Sequence, residues 1–198
     1  MIDTDPSSSG QRFFGVVVGI VTDNQDPEGL GRVRVRFPWL SDAHTSHWAR
    51  VAAPMAGPSR GAYFLPEVED EVLVAFERGR PEFAYVLGGL WNGKDKPPVA
   101  NDKGKDQRLL RSRSGLQLTL DDTPGGEKIE LRDKDGKNQL VIDVKAGAIT
   151  IQADAEVHLV AKKKLTIGTS DADLDVQCKN FTVKCTRLDV NGGALEVK

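Results

Sequence analysis

Two histidines, His44 and His47, lie three residues apart, a spacing that places two imidazoles beside one metal ion when the segment is helical. The surrounding run, which begins at Ser41, is polar and typical of a loop, and no third ligand is apparent. A solvated surface loop is therefore the favoured interpretation, and no metal or other cofactor is expected. His158 falls on the predicted outward face of a strand, where water solvates its ring.

Two acidic runs invite a catalytic or metal-binding interpretation. The run from Glu67 to Glu71 offers paired carboxylates, but a glycosidase needs a cleft and one carboxyl group with a raised pKa, and a turn before a strand provides neither. The run from Asp133 to Asn138 weakly resembles a calcium loop and lacks its closing glutamate. Both are interpreted as turns. Since the sequence also has no Ser-His-Asp set, phosphate loop or dinucleotide fingerprint, we predict that the chain is not an enzyme.

Three arginines, Arg32, Arg34 and Arg36, alternate with Val33 and Val35 and so share one face of a predicted strand. Such a face binds single-stranded nucleic acid when aromatic side chains lie between the arginines, but valines occupy the intervening positions here. The net charge of the 198-residue chain is −2, which does not favour a polyanionic partner. Protein contacts are the favoured interpretation and no nucleic acid partner is expected. A protein that binds single-stranded nucleic acid through a barrel and carries a β-structured tail is the alternative function.

Compartment is indicated by what the sequence lacks. Its two cysteines, Cys178 and Cys185, do not make a disulfide framework. The polar N-terminus predicts no signal peptide, and no apolar run approaches the roughly 20 residues that span a bilayer. We therefore expect the chain to be made in the cytoplasm without an export signal of its own.

The elements that position these residues are short strands. Five apolar or alternating segments, separated by Gly- and Pro-rich turns, predict a closed five-stranded barrel of the OB-fold type over residues 12–92. They are Phe13–Thr22, Arg32–Phe37, Trp48–Ala52, Glu71–Glu77 and Ala84–Leu87. A polar arm, residues 1–11, precedes the barrel, and a polar Pro- and Gly-containing stretch, residues 93–114, is predicted as a linker.

Residues 115–198 contain a repeat in which two apolar residues flank one polar residue, about every seven to nine residues. The pairs are Ile142 with Val144, Ile149 with Ile151, Val157 with Leu159, Leu165 with Ile167, Leu174 with Val176, Phe181 with Val183, Leu188 with Val190, and Leu195 with Val197. This alternation predicts strands with one buried face. Cys178 and Cys185 follow two of the pairs at equivalent positions and are predicted to point inward as small apolar fillers.

A single chain cannot close a core around these strands, because each offers only two or three inward side chains. Three chains that wind together, each supplying one face per layer, enclose a triangular core. Eight such layers give an intertwined trimeric β-helix, a triangular prism roughly 40 Å long. The fold class is therefore predicted as all-β, with the residues from Ile142 to Val190 in the pairs above as the trimer core.

Several segments resemble the spike proteins of contractile injection machines, which include phage baseplate assembly protein V and the OB-fold and needle portion of the VgrG proteins of type VI secretion. The segments are Gly15–Thr22, Pro27–Trp39, Trp48–Ala52, Phe64–Val74, Leu87–Gly93, Lys96–Pro98 and Leu118–Gly125. They cover much of the chain in the order that the family has.

The resemblance implies a homotrimeric, membrane-puncturing central spike of a phage tail, type VI secretion system or tailocin-like particle. Its barrel sits below a tail hub, and its needle points toward the target cell membrane. Only about eleven residues precede the barrel, so the hub is expected to be a separate chain, with Arg32, Arg34 and Arg36 as candidate hub or subunit contacts. The chain has no histidines at its end, so we expect a separate PAAR-type tip protein docked on Leu195, Val197 and Lys198. After assembly the spike would be part of the particle.

Overall fold

A computed structural model describes residues 12–100, 105–170 and 174–186. Apart from one 3₁₀ turn at Glu77–Gly79, every regular element in these residues is a β-strand. No helix in the described residues is long and apolar enough to cross a membrane. The first eight strands are β1 (Val16–Asp23), β2 (Arg32–Phe37), β3 (Ser41–Thr45), β4 (Ala49–Val51), β5 (Ala56–Gly57), β6 (Arg60–Gly61), β7 (Glu71–Phe76) and β8 (Ala84–Gly89).

Five of these strands form a closed barrel. They pair in the order β1-β7-β8-β4-β2, and β2 pairs back onto β1 to close the ring. β4 and β8 run parallel, and the other pairs within the barrel are antiparallel. Each predicted barrel strand is present, within a few residues of its predicted ends. The predicted all-β fold with an N-terminal five-stranded OB-fold barrel is therefore confirmed.

The barrel interior is filled by the inward-pointing residues, which alternate along each barrel strand. Val33 and Val35 of β2 are fully buried, as the strict alternation with arginine predicts. The buried apolar residues are Val21, Val33, Val35, Phe37, Ala49, Val72, Val74, Phe76, Ala84 and Val86. Branched and aromatic side chains thus provide a core that one chain completes by itself.

One predicted loop is a strand. The polar run from Ser41 predicts a loop, whereas β3 spans Ser41–Thr45 and extends the barrel sheet by pairing with β2. The polar composition that favoured a loop is compatible with an edge strand, because an edge strand pairs on one side only and lies at the surface.

The remaining strands form a second sheet, an antiparallel meander. They are β9 (Gln107–Arg111), β10 (Gln117–Asp121), β11 (Lys128–Arg132), β12 (Gln139–Asp143) and β13 (Ala148–Gln152), hydrogen-bonded in chain order. β9 lies inside the stretch predicted as a linker, residues 93–114, and pairs with β10 along its whole length. The sheet therefore begins at Gln107, earlier than the predicted boundary at residue 115.

No strand is formed by residues 153–170 and 174–186, although the repeat predicts four there. The predicted pairs in these ranges, from Val157 to Val183, are all exposed in the single chain. A strand exists only where a neighbouring backbone accepts and donates its hydrogen bonds. The alternation is thus present in the sequence, but within the described residues this chain does not supply the pairing partners.

Candidate functional site

One face of the second sheet is lined by aliphatic side chains in two rows. Directly opposite residues of an antiparallel pair lie on the same face, so the register defines the rows. The first row is Leu110, Leu118, Leu131, Leu140 and Ile151, and the second is Leu120, Ile129, Ile142 and Ile149. We call these nine side chains the apolar face.

The apolar face is open to solvent in the single chain. Leu120 is 45 % exposed, Leu131 47 %, Ile149 70 % and Ile151 59 %. Contiguous apolar patches of this kind are uncommon on soluble monomers and mark interaction surfaces. The side chains of one folded chain therefore leave this face incomplete.

The opposite face of the same sheet is mostly polar, although Leu109 and Val141 also lie on it. Thr119 is 2 % exposed and accepts a hydrogen bond of 2.7 Å from the Gln117 amide. Glu130 is 9 % exposed and lies 3.6 Å from the Lys128 ammonium and 3.9 Å from the Arg132 guanidinium. Since its buried polar groups have partners, this face needs no further contact, in contrast to the apolar face.

Four of the predicted trimer-core residues lie within or beside this sheet. Ile142, Ile149 and Ile151 belong to the apolar face, whereas Val144 follows the end of β12 and is 62 % exposed. The predicted residues that lie in the irregular ranges are Val157, Leu159, Leu165, Ile167, Leu174, Val176, Phe181 and Val183. Leu188, Val190, Leu195, Val197 and Lys198 lie outside the described residues.

Sequence reasoning missed six members of the apolar face: Leu110, Leu118, Leu120, Ile129, Leu131 and Leu140. The same two-residue alternation marks them, as in Leu118-Thr119-Leu120 and Ile129-Glu130-Leu131. They escaped because their strands recur every ten or eleven residues, not every seven to nine. A search for the alternation without a fixed period would have found them.

The three candidate hub or subunit contacts differ in what surrounds them. The Arg32 guanidinium is held by Asp26 at 2.7 Å and by Glu28 at 3.0 Å, and its side chain is 18 % exposed. Arg36 lies 3.9 Å from the Glu69 carboxylate. Arg32 is therefore committed to contacts within its own chain.

Arg34 has a different environment. It lies on the exposed face of β2, and its guanidinium lies 4.9 Å from the centroid of the Trp48 ring. The valines between the arginines are buried as predicted, but the neighbouring strand segment supplies the aromatic ring that β2 itself lacks. Reasoning along one strand missed this pairing because it depends on which strands are neighbours.

Asp26 organises the turn that leads into β2. Its carboxylate accepts hydrogen bonds from the backbone N–H groups of Glu28, Leu30 and Arg32 and from the Arg32 guanidinium. The Arg32 guanidinium, with these backbone donors, holds the pKa of Asp26 well below its ordinary value. Its negative charge therefore stabilises the folded state at neutral pH.

Asp26→Asn is expected to lower the melting temperature at pH 7 by several degrees. The asparagine side chain carries no charge, and its NH₂ group would face the N–H groups that now donate to the carboxylate. A carboxyl group with a lowered folded pKa stabilises the protein above its unfolded pKa, about 3.9, and this contribution is lost as the pH falls further. Melting temperatures of both proteins between pH 7 and 3 should therefore converge on the acid side. Equal melting temperatures at pH 7 would contradict this role.

The remaining candidate residues lie in turns, in the edge strand β3 or in irregular segments. Among the described residues, no three His, Cys, Asp or Glu side chains converge as metal ligands. The predicted Asp133–Asn138 turn is confirmed, because it joins β11 to β12 and the Asp133 carboxylate accepts hydrogen bonds from Lys137 and Asn138. The Asn138 amide is the main cause that lowers the pKa of Asp133. Cys178 and Cys185 are exposed free thiols in the single chain, and their inward placement stays a prediction.

Comparison with known families gives the barrel a context. A family described as the type VI secretion system/phage-baseplate injector OB domain matches residues 17–91. Apart from Val16, the first residue of β1, this range covers the five strands that close the barrel. Residues 17–91 are thus similar to an injector OB domain. The resemblance to VgrG-like baseplate spike proteins is thereby confirmed.

Similarity to type VI secretion spike proteins extends beyond the barrel. The type VI secretion system spike protein VgrG1b of Pseudomonas aeruginosa is 29 % identical over 150 residues, which cover 73 % of this chain and 20 % of that protein. The spike protein VgrG1a of the same organism is 31 % identical over 132 residues, which cover 64 % of this chain and 20 % of that protein. The matched part of the chain thus spans about a fifth of the length of these relatives.

Proposed function

We propose that this chain is the non-enzymatic central spike of a contractile injection machine. Three copies assemble, their barrels form a ring below a separate tail hub, and the second sheet with the residues after it forms the needle. Sheath contraction drives the needle through the target cell membrane, and a PAAR-type tip protein caps its end. Support comes from the injector OB domain and from relatives that are named as type VI secretion spike proteins.

The apolar face is the observation that carries the proposal. Of the nine aliphatic side chains in the two rows, seven are exposed and two, Leu140 and Ile142, are half-buried, whereas the other face of the sheet is mostly polar. Three such sheets arranged around a three-fold axis bury these faces against one another as a triangular prism. Each Leu or Ile that becomes fully buried contributes about 1.5–3 kcal/mol.

The segment after Gln152 favours the trimeric prism over a two-sheet sandwich. A face-to-face dimer would cover the apolar face, but it would give no pairing partner to the alternating residues from Val157 to Val183. In an intertwined trimer, by contrast, strands of neighbouring chains supply those hydrogen bonds. This arrangement explains why the alternation of apolar and polar residues continues in a segment that forms no strands in the single chain.

Light scattering on the purified chain tests the proposal. The expected mass is about 65 kDa, three times the 21.6 kDa of one chain. A dimer would give about 43 kDa and would indicate a sandwich. A stable monomer would remove the physical basis of the spike, because the apolar face would then stay exposed.

A further inference from the structure

The outer surface of the barrel changes character across its strands. One row of directly opposite residues runs from Val16 on β1 through Ala75, Tyr85 and Arg50 to Arg32 on β2. Its β1 end is apolar, with Val16 55 % exposed, and its β2 end is cationic. An apolar region bordered by arginine and aromatic side chains has the composition of a protein–protein interface.

Two arginines at the cationic end are organised by aromatic rings. The Arg34 guanidinium lies 4.9 Å from the Trp48 ring centroid, and that of Arg50 lies 5.8 Å from the Tyr85 ring centroid. The Tyr85 hydroxyl is in turn fixed by donating a 2.9 Å hydrogen bond to Glu77. We call Arg34, Trp48, Arg50 and Tyr85 the arginine–aromatic stripe.

The two arginines of the stripe keep N–H donors for a partner, whereas the N–H donors of the neighbouring Arg32 are used in ion pairs. Within the described residues, no carboxylate lies within ion-pair distance of Arg34 or Arg50, and both side chains are exposed. Arg32, on the same outer surface, is already paired with Asp26 and Glu28. Cation–π stacking holds a guanidinium by its face and leaves its N–H edge free for an acceptor. Two such edges on adjacent strands match a pair of carboxylates.

We infer that the arginine–aromatic stripe docks an acidic segment of a separate protein of the same particle, and in this the inference rests on the proposed function. Carboxylates fit better than nucleic acid for two reasons. The Trp48 and Tyr85 rings are half-buried and already carry a guanidinium, which leaves little free ring surface for bases to stack. The adjoining apolar pair, Val16 and Ala75, can pack against apolar side chains of a protein, whereas a phosphate backbone offers no apolar group to pack there.

Binding of a fluorescein-labelled octaglutamate peptide to the full chain, followed by fluorescence anisotropy, tests the inference. Arg34→Gln/Arg50→Gln is expected to lower the affinity about tenfold or more, because charge-assisted hydrogen bonds are lost. The matched control Arg12→Gln/Arg78→Gln removes the same charge from exposed arginines outside the stripe and should change the affinity less than about twofold. Trp48→Leu keeps every charge and should weaken binding about two- to fivefold through the lost ring.

The contrary outcomes are distinct. Peptide binding that is too weak to detect in the wild type, or that falls equally in the control variant, would overturn the stripe as a site. Tighter binding of a single-stranded oligothymidylate of equal charge, lost in Arg34→Gln/Arg50→Gln, would overturn the choice of carboxylates in favour of nucleic acid. Light scattering on the same samples separates this test from the proposed function: a monomer that still binds the peptide would contradict the spike, and with it the partner in the particle, but would support the stripe as a carboxylate-binding site.

Discussion

Ile151→Asp is expected to convert the assembled trimer into a single chain of about 22 kDa by light scattering. Ile151 ends the first row of the apolar face, opposite Leu140, and is 59 % exposed in the single chain. In a trimer the substitution would place three carboxylates around one axis, without partners and away from water. Each unpaired buried charge costs several kcal/mol, which exceeds what one aliphatic side chain contributes by burial.

Thr150→Asp is the matched control, because it places the same charge one residue earlier on the same strand. Thr150 lies opposite Val141 on the other face of the sheet and is exposed, so this variant should stay trimeric. All three tryptophans, Trp39, Trp48 and Trp91, lie in the barrel region, so their fluorescence should show a folded barrel in both variants. An Ile151→Asp trimer that is as stable to heat as the wild type would contradict the assignment of the apolar face to the trimer core.

Gly19→Val is expected to prevent the barrel from forming its native core, and Gly19→Ala to weaken it in a graded way. Gly19 lies on β1 where the backbone passes close to β2. A Cβ atom there would clash with a methyl group of Val35 and would lie 3.3 Å from both the Arg36 carbonyl oxygen and the Phe37 ring. Val35 is fully buried, so it has no space into which to move. Overpacking of this kind costs about 1–3 kcal/mol for a small addition and more for a branched one.

The measurement is thermal unfolding followed by tryptophan fluorescence. Gly19→Ala should lower the barrel melting temperature by more than about 5 °C, and Gly19→Val should lower it further. Gly88→Ala is the control: Gly88 also lies in a barrel strand, its φ is not positive, and a Cβ there would have no heavy atom within 4 Å. If the melting temperatures of Gly19→Ala and Gly88→Ala both equal that of the wild type, the close approach of β1 and β2 does not restrict side-chain size at position 19.

Most barrel strands could be located from the sequence because their signal is local. β2 alternates arginine with the apolar residues Val33, Val35 and Phe37, and the alternation predicts its ends to the residue. β3 and β9 were missed, because neither shows a strong alternation and both are defined by the strand that they pair with. The apolar face was predicted in part, from Ile142 onward, since a fixed repeat length was imposed on an alternation that starts earlier.

The three arginines on β2 show that a local sequence pattern does not predict the contacts of a side chain. Spacing placed Arg32, Arg34 and Arg36 on one face but could not rank them, because alternation shows which face a side chain lies on and not what it contacts. The structure separates them: Asp26 binds Arg32, Glu69 lies near Arg36, and Trp48 lies under Arg34. Those partners come from a turn, a distant loop and a neighbouring strand, and only the fold brings them together.

The sequence by itself determined that this protein is built of strands with one apolar face, because side-chain alternation is a property of each strand alone. From the number of inward side chains it also predicts that one chain alone does not enclose a core around the repeat in residues 115–198. Only the tertiary structure decided which surfaces stay open, namely the apolar face and the arginine–aromatic stripe. Register between consecutive strands sets the apolar face, and barrel closure, which pairs distant segments such as β4 and β8, sets the stripe.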